Sequence, residues 1–435
     1  MDSTAIFVLF GVFAVLLILG VPIIYAIGLS AFFAVSVNAG FVDSAFVIAQ
    51  RLATGMDSFA LLAIPFFIIA GNIMNRGGLA IRLIDFAKLL GGQLPGALAH
   101  CNVIANMLFG ALSGSAVAAG AAVGGVMSPI QKKEGYDPVY SACVNITSCP
   151  TGLLIPPSNA LIVFSLVTGG TSVSALFLAG YLPGILMGLG IMVVAAIIAK
   201  KKGYPTIRFP GASAALKITW AAIPSLGLIV VIMGGIVGGF FTPTEAAAIA
   251  VVYTLFLTLV CYRELSVREL PSVFLESALT SSIVLILIGA SKGMAYAMSD
   301  ADVPYIISEA LLSLSDNKIV ILLIINVLLL VVGTFMDMTP AILIFTPILF
   351  PITQELGIDP VHFGIIMVFN LCIGICTPPV GSALFVGCSV ANVSINSVLK
   401  PLLPFYVVLF ITLMMVTYIP ALSLTLPSWV MGYIP

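Results

Sequence analysis

The sequence predicts an all-α polytopic membrane protein made of two halves in inverted repeat, each with a re-entrant helical hairpin and a broken transmembrane helix. Three observations predict this fold. The composition is strongly apolar, a Gly-x-Asp-Pro-Val motif occurs twice, and Pro-rich segments interrupt one apolar span in each half. Helices broken at corresponding places of two halves are typical of membrane proteins with internal repeats.

The composition indicates an integral membrane protein. Of its 435 residues, 61% are hydrophobic and only 8% are charged, and the mean hydropathy is +1.24. Soluble domains carry about 25% charged residues. Apolar runs of about 17–25 residues, long enough to cross a bilayer, predict roughly ten to twelve spans or hairpin arms. The net charge of −1 offers no basic surface for nucleic acid.

The first half is assigned to residues 1–212. Its start lacks the positively charged region of a cleaved signal peptide, so the first apolar run is expected to remain as a span. Two amphipathic segments carry charges among apolar residues and are expected to lie along the membrane interface. The predicted order is a span at 6–20, a span at 22–37, an interfacial piece at 43–57, a span at 58–75 and an interfacial arm to Lys88.

A hairpin and a broken helix follow in this half. Residues 110–120 are crowded with Gly, Ala and Ser, and Ser113-Gly-Ser115 can form the turn of a re-entrant hairpin at about 95–128. The alternative is one span whose small residues only permit close helix packing. The apolar run at about 139–168 contains Thr147-Ser-Cys-Pro-Thr-Gly-Leu-Leu-Ile-Pro-Pro-Ser158, where each Pro removes a backbone donor, so its helix must break. A further span at 174–198 ends at three lysines.

The second half is assigned to residues 213–435. Its hairpin is placed at about 319–352, with a tip in Gly333-Thr-Phe-Met-Asp-Met-Thr-Pro340, and its broken helix at about 360–389, around Gly374-Ile-Cys-Thr-Pro-Pro-Val-Gly-Ser382. The other predicted spans are 218–237, 243–261, 273–290, 304–314 and 404–419.

The repeat rests on a constant offset. Gly135-Tyr-Asp-Pro-Val matches Gly357-Ile-Asp-Pro-Val at 357 − 135 = 222, and three prolines match at the same offset. Short cytoplasmic loops carry the excess of Lys and Arg. Lys132 and Lys133 therefore place the first loop inside, whereas the equivalent second loop reads Gln354-Glu355 and belongs outside. The two halves are thus expected to have opposite topology. The matching prolines are Pro129 with Pro351, Pro156 with Pro378 and Pro157 with Pro379.

The two tips and the two breaks are expected to meet near the midplane. Unwound backbone carbonyls and hydroxyl groups are hard oxygen ligands that suit Na⁺, whereas half-helix N-termini favour a carboxylate. The alternative is that these small residues only permit tight packing. The candidate cation ligands are Ser113, Ser115, Thr147, Gly152, Gly333, Thr334, Thr377 and Pro378.

Two charged residues have open interpretations. Asp337 is the carboxylate within a hairpin tip, and an intramembrane acid is a candidate cation ligand or proton carrier. The alternative for Asp337 is a cap that accepts from backbone donors. Lys292, at the end of its predicted span, is either a contact for an anion or a side chain that snorkels to the interface.

The sequence lacks the motifs that several functional classes require. The sequence has no Walker lysine motif, no G-x-S-x-G and no H-E-x-x-H, so neither ATP-driven transport nor hydrolase chemistry is indicated. An intramembrane enzyme is the competing class, but it lacks an acid–base pair beyond Asp337. A passive channel is less favoured, because hairpins with breaks at the midplane suit an occluded site. These points favour an ion-driven transporter and predict no cofactor besides a coupling ion.

At this point the motifs resemble a known family. The sequence is similar over essentially its whole length to the large membrane subunit of TRAP (tripartite ATP-independent periplasmic) transporters, of the ion transporter superfamily. The resemblance implies an elevator-type, Na⁺-coupled importer of organic acids in the bacterial inner membrane. Its substrates would be C4-dicarboxylates, sialic acids or sugar acids. The motifs that carry it are Leu62-Ala-Ile-Pro-Phe-Phe67, Phe109-Gly-Ala-Leu-Ser-Gly-Ser-Ala-Val-Ala, Gly152-Leu-Leu-Ile-Pro-Pro-Ser158 and Thr377-Pro-Pro-Val-Gly381.

The resemblance also implies site residues. One Na⁺ region would combine 113–115 with the break at 152–158, and the other would combine 333–337 with the break at 374–379. These regions add Gly114, Pro156, Asp337 and Gly374 to the cation candidates. Residues at and after the breaks would meet the substrate, namely Pro157, Ser158, Asn159, Pro379, Gly381 and Ser382.

The resemblance implies two protein partners as well. A separate small membrane subunit of four helices and a periplasmic substrate-binding protein that delivers the ligand are expected beside the lipid bilayer. Because the chain begins directly at the large-subunit part, the small subunit is expected to be another polypeptide. The nearest alternative is a stand-alone dicarboxylate symporter of the same superfamily, coupled to Na⁺ or protons and needing no binding protein.

Overall fold

The computed structural model describes residues 3–208, 210–315 and 317–434. Throughout these ranges the regular secondary structure is helical, and they contain no strand. This confirms the predicted all-α class. Short 3₁₀ segments at Phe59–Leu62 and Val267–Glu269, and a π-helical turn at Leu257–Cys261, accompany the α-helices.

Eleven α-helices make up the described part of the first half. They are α1 Ser3–Ile18, α2 Ile23–Ala39, α3 Phe41–Met56, α4 Ala63–Arg76, α5 Leu79–Gly91, α6 Ala97–Ser113, α7 Ala116–Lys133, α8 Pro138–Ser148, α9 Thr151–Leu154, α10 Asn159–Val167 and α11 Val173–Lys202.

Ten α-helices make up the described part of the second half. They are α12 Ala212–Val237, α13 Pro243–Phe256, α14 Leu270–Asp300, α15 Val303–Leu314, α16 Lys318–Phe335, α17 Met338–Glu355, α18 Pro360–Gly374, α19 Ser382–Ala391, α20 Ile395–Tyr418 and α21 Ala421–Met431.

Seven helical segments of the described residues are long and apolar enough to cross a membrane, and an eighth span results if the bent pair Pro138–Leu154 and Asn159–Val167 is taken as one. The two members of that pair meet at an angle of 48°. The larger number expected from the sequence also included shorter apolar helices, such as the hairpin arm Ala97–Ser113 and the broken-helix arm Pro360–Gly374. The chain is a multi-pass membrane protein.

The first arms of the broken helices lie at the centre of the protein. Every residue of α18 from Val361 to Gly374 is buried, as is every residue of α8 from Tyr140 to Ser148. Each of these arms contains a buried asparagine that bonds to a neighbouring helix, Asn145 to Asn106 of α6 and Asn370 to Asn326 of α16. Other helices keep apolar side chains on the outer surface, where lipid would cover them, among them Phe7, Leu216, Val230, Val331 and Val407.

The largest differences from the sequence-based expectations are two helix boundaries and one additional helix. The helix predicted to end at 290 continues to Asp300, so Lys292 lies inside α14 rather than at a span end. The last crossing begins at Ile395 instead of 404, because α20 continues through Pro401 and Pro404. Prolines are tolerated in membrane helices when neighbouring groups satisfy the freed carbonyls. The short helix α21, which packs against α11, was not predicted, since its 11 residues are too few for a span.

The helix bounds repeat at the offset found in the sequence. The helix that begins at Ala116 has its counterpart beginning at Met338, and the one that begins at Pro138 has its counterpart beginning at Pro360. Both proline starts follow an aspartate whose side chain accepts from the second backbone amide of the helix. An N-cap aspartate with Pro at the first position is a strong helix start.

Asp137 gives a testable case of this cap. Its Oδ1 accepts from the Val139 amide at 2.9 Å, and its Oδ2 pairs with Lys202 Nζ at 2.7 Å. Partial burial raises the pKa of Asp137, but the bonds to Lys202 and Val139 outweigh this and hold the pKa below its ordinary value. The stability from ionised Asp137 is therefore fully present above the unfolded pKa of about 3.9 and is lost as pH falls through the lower folded pKa.

We expect Asp137→Ala to lower the free energy of unfolding by about 1 kcal/mol at pH 7, mainly through loss of the cap. The difference from wild type stays constant down to about pH 5 and shrinks below about pH 4. Thermal unfolding of the purified variants across this pH range measures it. Asp85→Ala is the control, because Asp85 forms an exposed ion pair with Lys88 without capping a helix. Equal stability of Asp137→Ala and wild type at pH 7 would contradict the expectation.

Candidate functional site

The hairpin tips and the helix breaks meet at a cavity of about 110 Å³. The first tip lies between α6 and α7, and the second lies between α16 and α17. The breaks lie between α9 and α10 and between α18 and α19. The lining includes residues of both tips and of the second break, and residues that flank the first break on either side. The cavity collects five of the residues that the sequence predicted for the site, namely Gly114, Ser115, Asn159, Asp337 and Ser382.

The first tip is shaped by Gly114 and Ser115. Gly114 ends α6 with φ +60°, a left-handed conformation that favours glycine, and a Cβ there would lie 2.9 Å from Asn159 Nδ2. The Ser115 hydroxyl oxygen accepts from the Ala118 amide at 3.2 Å and so caps α7. Helices α6 and α7 therefore meet at the predicted turn, and they pack against each other.

The second tip presents the carboxylate of Asp337. The residue occupies the N-cap position of α17, yet its side chain accepts from no backbone amide of the described helix. Instead Oδ1 accepts a hydrogen bond from Ser382 Oγ at 3.1 Å, which links the tip to the start of α19. Asp337 is also exposed. The alternative of a simple backbone cap therefore does not describe this side chain.

The breaks have different local structures. The first spans 155–158, where Ser158 accepts from the Leu161 amide and donates to the Leu153 carbonyl. The second spans 375–381 and is tied to the second tip, because the Val380 amide donates to the Thr334 carbonyl at 3.0 Å. Each break contains one cis peptide bond, Pro156–Pro157 and Pro378–Pro379.

Paired glycines bring each hairpin against its broken helix. A Cβ on Gly152 would lie 2.2 Å from Gly110 Cα, and a Cβ on Gly374 would lie 2.5 Å from Gly333 Cα. Backbone atoms cannot approach this closely with any side chain between them. Gly152, Gly333 and Gly374 therefore have a packing role, whatever their carbonyl groups bind.

Helix ends of both polarities face the cavity. The lining includes residues at the N-termini of α7, α10, α17 and α19. It also includes Gly114 and Ile375, which follow the C-termini of α6 and α18. Partial positive charge at helix N-termini favours anions, and partial negative charge at C-termini favours cations. One small cavity can thus attract a carboxylate and a cation side by side.

The remaining predicted residues lie outside the cavity lining. Thr147 is fully buried within α8 and donates to the Cys143 carbonyl at 2.8 Å, an ordinary contact of a helical threonine. The others sit in or next to the same four segments without lining the cavity, namely Ser113, Gly152, Pro156, Pro157, Ser158, Gly333, Thr334, Gly374, Thr377, Pro378, Pro379 and Gly381.

The sequence reasoning missed Asn106 and Asn326, two buried asparagines that hold the hairpins to the broken helices. Asn106 Nδ2 donates to Asn145 Oδ1 at 3.0 Å, and Asn370 Nδ2 donates to Asn326 Oδ1 at 2.7 Å. An asparagine inside an apolar helix is a signal for such a bond, because an unpaired buried amide is costly. The buried Oδ1 of the predicted residue Asn159 has no hydrogen-bond partner among the described residues, and the same holds for Oδ1 of Asn106 and of Asn370.

Comparison with known proteins identifies the family. The family described as "Tripartite ATP-independent periplasmic transporter, DctM component" matches residues 10–422. The chain is 59% identical over 423 residues to the uncharacterized protein YgiK of Salmonella typhimurium, covering 97% of each chain. It is 42% identical to the C4-dicarboxylate TRAP transporter large permease protein DctM of Pseudomonas aeruginosa, over 89% of this chain and 90% of the relative. Other relatives are named for isethionate, sialic acid and 2,3-diketo-L-gulonate.

A solved structure supports the fold. The YdaH transporter of Alcanivorax borkumensis superposes with a TM-score of 0.64 at 14% identity, covering 86% of this chain and 88% of that chain. At this identity the likeness concerns the fold alone. The family match and the relatives confirm the resemblance of the sequence motifs and name transporter permeases rather than enzymes. The chain belongs to the TRAP transporter family as a large membrane permease subunit of the bacterial inner membrane.

Proposed function

We propose that this permease imports an organic acid by Na⁺ symport and that the hairpin junction binds both solutes. The observation that carries the proposal is the cavity where four helix N-termini meet the carboxylate of Asp337. The N-termini supply positive potential for the acid, and Asp337 supplies a full negative charge for a cation. The sequence has no ATP-binding motif, so we take an ion gradient as the energy source for transport.

The Na⁺ ions would occupy two regions. The first combines the tip at 113–115 with the break at 152–158, and the second combines 333–337 with 374–379. Both regions contain hydroxyl groups and backbone carbonyls, which are the oxygen ligands that hard cations prefer. The unpartnered Oδ1 of Asn159 is a further oxygen ligand close to the first tip. The acid would contact the starts of α10 and α19, at Asn159 and Ser382.

We further propose that the two halves, 1–212 and 213–435, have inverted topology and move as an elevator. Supporting this, α7 and α17 have matching bounds at the offset of the sequence repeat, and α8 and α18 begin at matching prolines. Helix α7 ends in Lys132 and Lys133, whereas its counterpart α17 ends in Gln354 and Glu355, so the positive-inside rule favours opposite sides of the membrane for these two helix ends. In this mechanism the hairpins and broken helices carry the cavity across the membrane as one body.

The proposed substrate class is a small organic acid with a carboxylate or a sulfonate. The relatives are named for C4-dicarboxylate, sialic acid, 2,3-diketo-L-gulonate and isethionate. These compounds share an acidic group, and helix N-termini bind such groups through backbone amides without distinguishing the remainder of the molecule. The size and polarity of the transported acid would then depend on other contacts.

The proposed partners are a small membrane subunit of four helices and a periplasmic substrate-binding protein. The family description as a tripartite periplasmic transporter supports them. The isethionate relative supports the membrane subunit further, because it is named a DctMQ permease and this chain covers 65% of its length. The extra length of that relative leaves room for a second membrane component in one polypeptide.

Uptake into proteoliposomes tests the proposal. The chain is reconstituted with its small subunit, and labelled succinate, isethionate and N-acetylneuraminate are offered with and without an inward Na⁺ gradient and the binding protein. We expect uptake of at least one acid only when both the gradient and the binding protein are present. An inward K⁺ gradient of the same size serves as the control.

The other outcomes are equally informative. Uptake driven by Na⁺ without a binding protein would replace the tripartite mechanism by a stand-alone symporter. Uptake that depends on a proton gradient and not on Na⁺ would show that transport is coupled to protons instead. Absence of gradient-driven uptake of all three acids, from proteoliposomes that contain folded protein, would contradict the proposed substrate class.

A further inference from the structure

A second cavity, of about 660 Å³, lies beside the hairpin junction and carries two cations. We call it the cationic cavity. Arg51 and Thr54 of α3 and Lys292 and Tyr296 of α14 form one wall, while α10 and α17 form the other. Within the described part of the chain, no aspartate or glutamate lines it. The described ion pairs of the protein involve other residues, so neither Arg51 nor Lys292 has a carboxylate within 4.0 Å among the described residues.

Two contacts hold these cations at the wall. The Arg51 guanidinium lies over the Tyr296 ring, 4.5 Å from its centroid. The Lys292 stem passes over Gly55, where a Cβ would lie 2.7 Å from Lys292 Cγ. On α3, Arg51 and Gly55 are four residues apart, and on α14, Lys292 and Tyr296 are four residues apart. Residues four apart share a helix face and are separated by about one turn of 5.4 Å, so both cations face the same space.

The position of Lys292 argues against a purely interfacial role for this cation, whereas Arg51 is exposed near the end of α3. Lys292 lies inside α14, eight residues before its end at Asp300, and is half-buried. Cations in membrane proteins are costly unless they are paired or line a watery cavity. Two like charges that face one space also repel each other unless an anion lies between them. An anion in the cavity would offset both the cost of the unpaired cations and their repulsion.

The cationic cavity and the hairpin junction are lined by two helices in common. Helix α10 lines the junction at Ala160 and the cationic cavity at Val163, and α17 lines them at Thr339 and Leu343 respectively. Steps of three or four residues correspond to about 5–6 Å along a helix. The wall of the cationic cavity that α10 and α17 form thus lies about one helical turn from the residues of these helices that line the junction.

We propose that the cationic cavity is an anion-binding vestibule, in which Arg51 and Lys292 take the acidic group of the organic acid before it reaches the hairpin junction. The assignment rests on the proposed function for the identity of the anion. The anionic preference itself depends only on the two cations. Carboxylates and sulfonates both suit it, because Arg offers a planar fork of donors and Lys a mobile point charge. Thr54 adds a hydroxyl to the same wall.

Charge-selective labelling of a cysteine in the wall tests the vestibule without transport. Thr54→Cys places the thiol in the cavity, and Cys261→Ser removes the exposed native cysteine, since the other six are buried. The full chain in phosphatidylcholine nanodiscs is treated with the anionic sulfonatoethyl or the cationic trimethylammonioethyl methanethiosulfonate. The ratio of the two rates is then compared among Arg51→Gln, Lys292→Gln and the parent. Lys217→Gln, an exposed lysine of α12, is the control.

We expect the anionic-to-cationic rate ratio at the introduced thiol to fall about fivefold or more in each cavity variant and to stay unchanged in Lys217→Gln. Millimolar succinate or isethionate is expected to slow the anionic reagent in the parent but not in the variants.

An anionic-to-cationic rate ratio that is the same in Arg51→Gln, Lys292→Gln and the parent would overturn the vestibule. Slowing by phosphatidylglycerol in the nanodisc, without slowing by either acid, would assign the cations to lipid headgroups and overturn the proposal. A normal labelling result with no Na⁺-driven uptake would leave the vestibule in place and contradict only the proposed coupling.

Discussion

Replacing Gly152 with alanine is expected to separate the first hairpin from its broken helix. The new Cβ would lie 2.2 Å from Gly110 Cα and 2.3 Å from the Gly110 carbonyl carbon, and these backbone atoms cannot move aside as a flexible side chain could. Overpacking of a close contact costs about 1–3 kcal/mol, and more when backbone must shift. We therefore expect a severalfold lower yield of monodisperse protein and a lower unfolding temperature. Fluorescence-detected size-exclusion chromatography after heating measures both.

The matched control for this substitution is Gly125→Ala in α7, where a Cβ would meet no described atom within 4 Å. It adds the same methyl group to a neighbouring helix and should leave yield and unfolding temperature near those of wild type. Gly374→Ala should behave like Gly152→Ala, because its Cβ would lie 2.5 Å from Gly333 Cα. If Gly152→Ala were as stable as Gly125→Ala, the close contact between hairpin and broken helix would be wrong.

Replacing Asp337 with asparagine is expected to weaken the Na⁺ dependence of uptake while the protein remains folded. The substitution keeps the size of the side chain and an oxygen that can accept from Ser382, but it removes the full negative charge. Loss of a charged partner costs about 1.5–3 kcal/mol. This corresponds to an increase of roughly tenfold to a hundredfold in the Na⁺ concentration for half-maximal uptake. Initial uptake rates at graded Na⁺ concentrations measure it.

Glu309→Gln provides the control for Asp337→Asn, because Glu309 is an exposed carboxylate of α15 outside the cavity. Its removal changes the net charge equally and should leave the Na⁺ dependence as in wild type. An Asp337→Asn protein with the Na⁺ dependence of wild type would exclude Asp337 as a cation ligand. Its bond to Ser382 would then be a structural link between the second tip and α19.

The sequence predicted the local breaks well, because each break depends on residues that are close in the chain. Gly and Ser inside an apolar run stop a helix through their own backbone preferences, and the turn at Gly114 is where the sequence placed it. The prolines at 156–157 and 378–379 likewise act on the helix that contains them. The constant offset between the halves then indicated which segments correspond.

Long-range contacts could not be predicted in the same way. Asp337 meets Ser382 across 45 positions, and Gly110 meets Gly152 only after a hairpin and a broken helix have packed together. Hydrophobic periodicity indicates which residues belong to the same helix, but it does not indicate which helices pack against each other. For the same reason Arg51 was interpreted as an interfacial charge, although it lies over Tyr296 and shares a cavity with Lys292.

Binding of radioactive Na⁺ to the purified full-length chain tests most directly whether the hairpin junction is a cation site. We expect saturable binding that unlabelled Na⁺ displaces and that the same concentration of K⁺ does not, and we expect Asp337→Asn to weaken it at least tenfold, in line with the loss of a charged ligand. Binding that is absent, or equally strong in wild type and in Asp337→Asn, would contradict a Na⁺ site at the junction of the two hairpins.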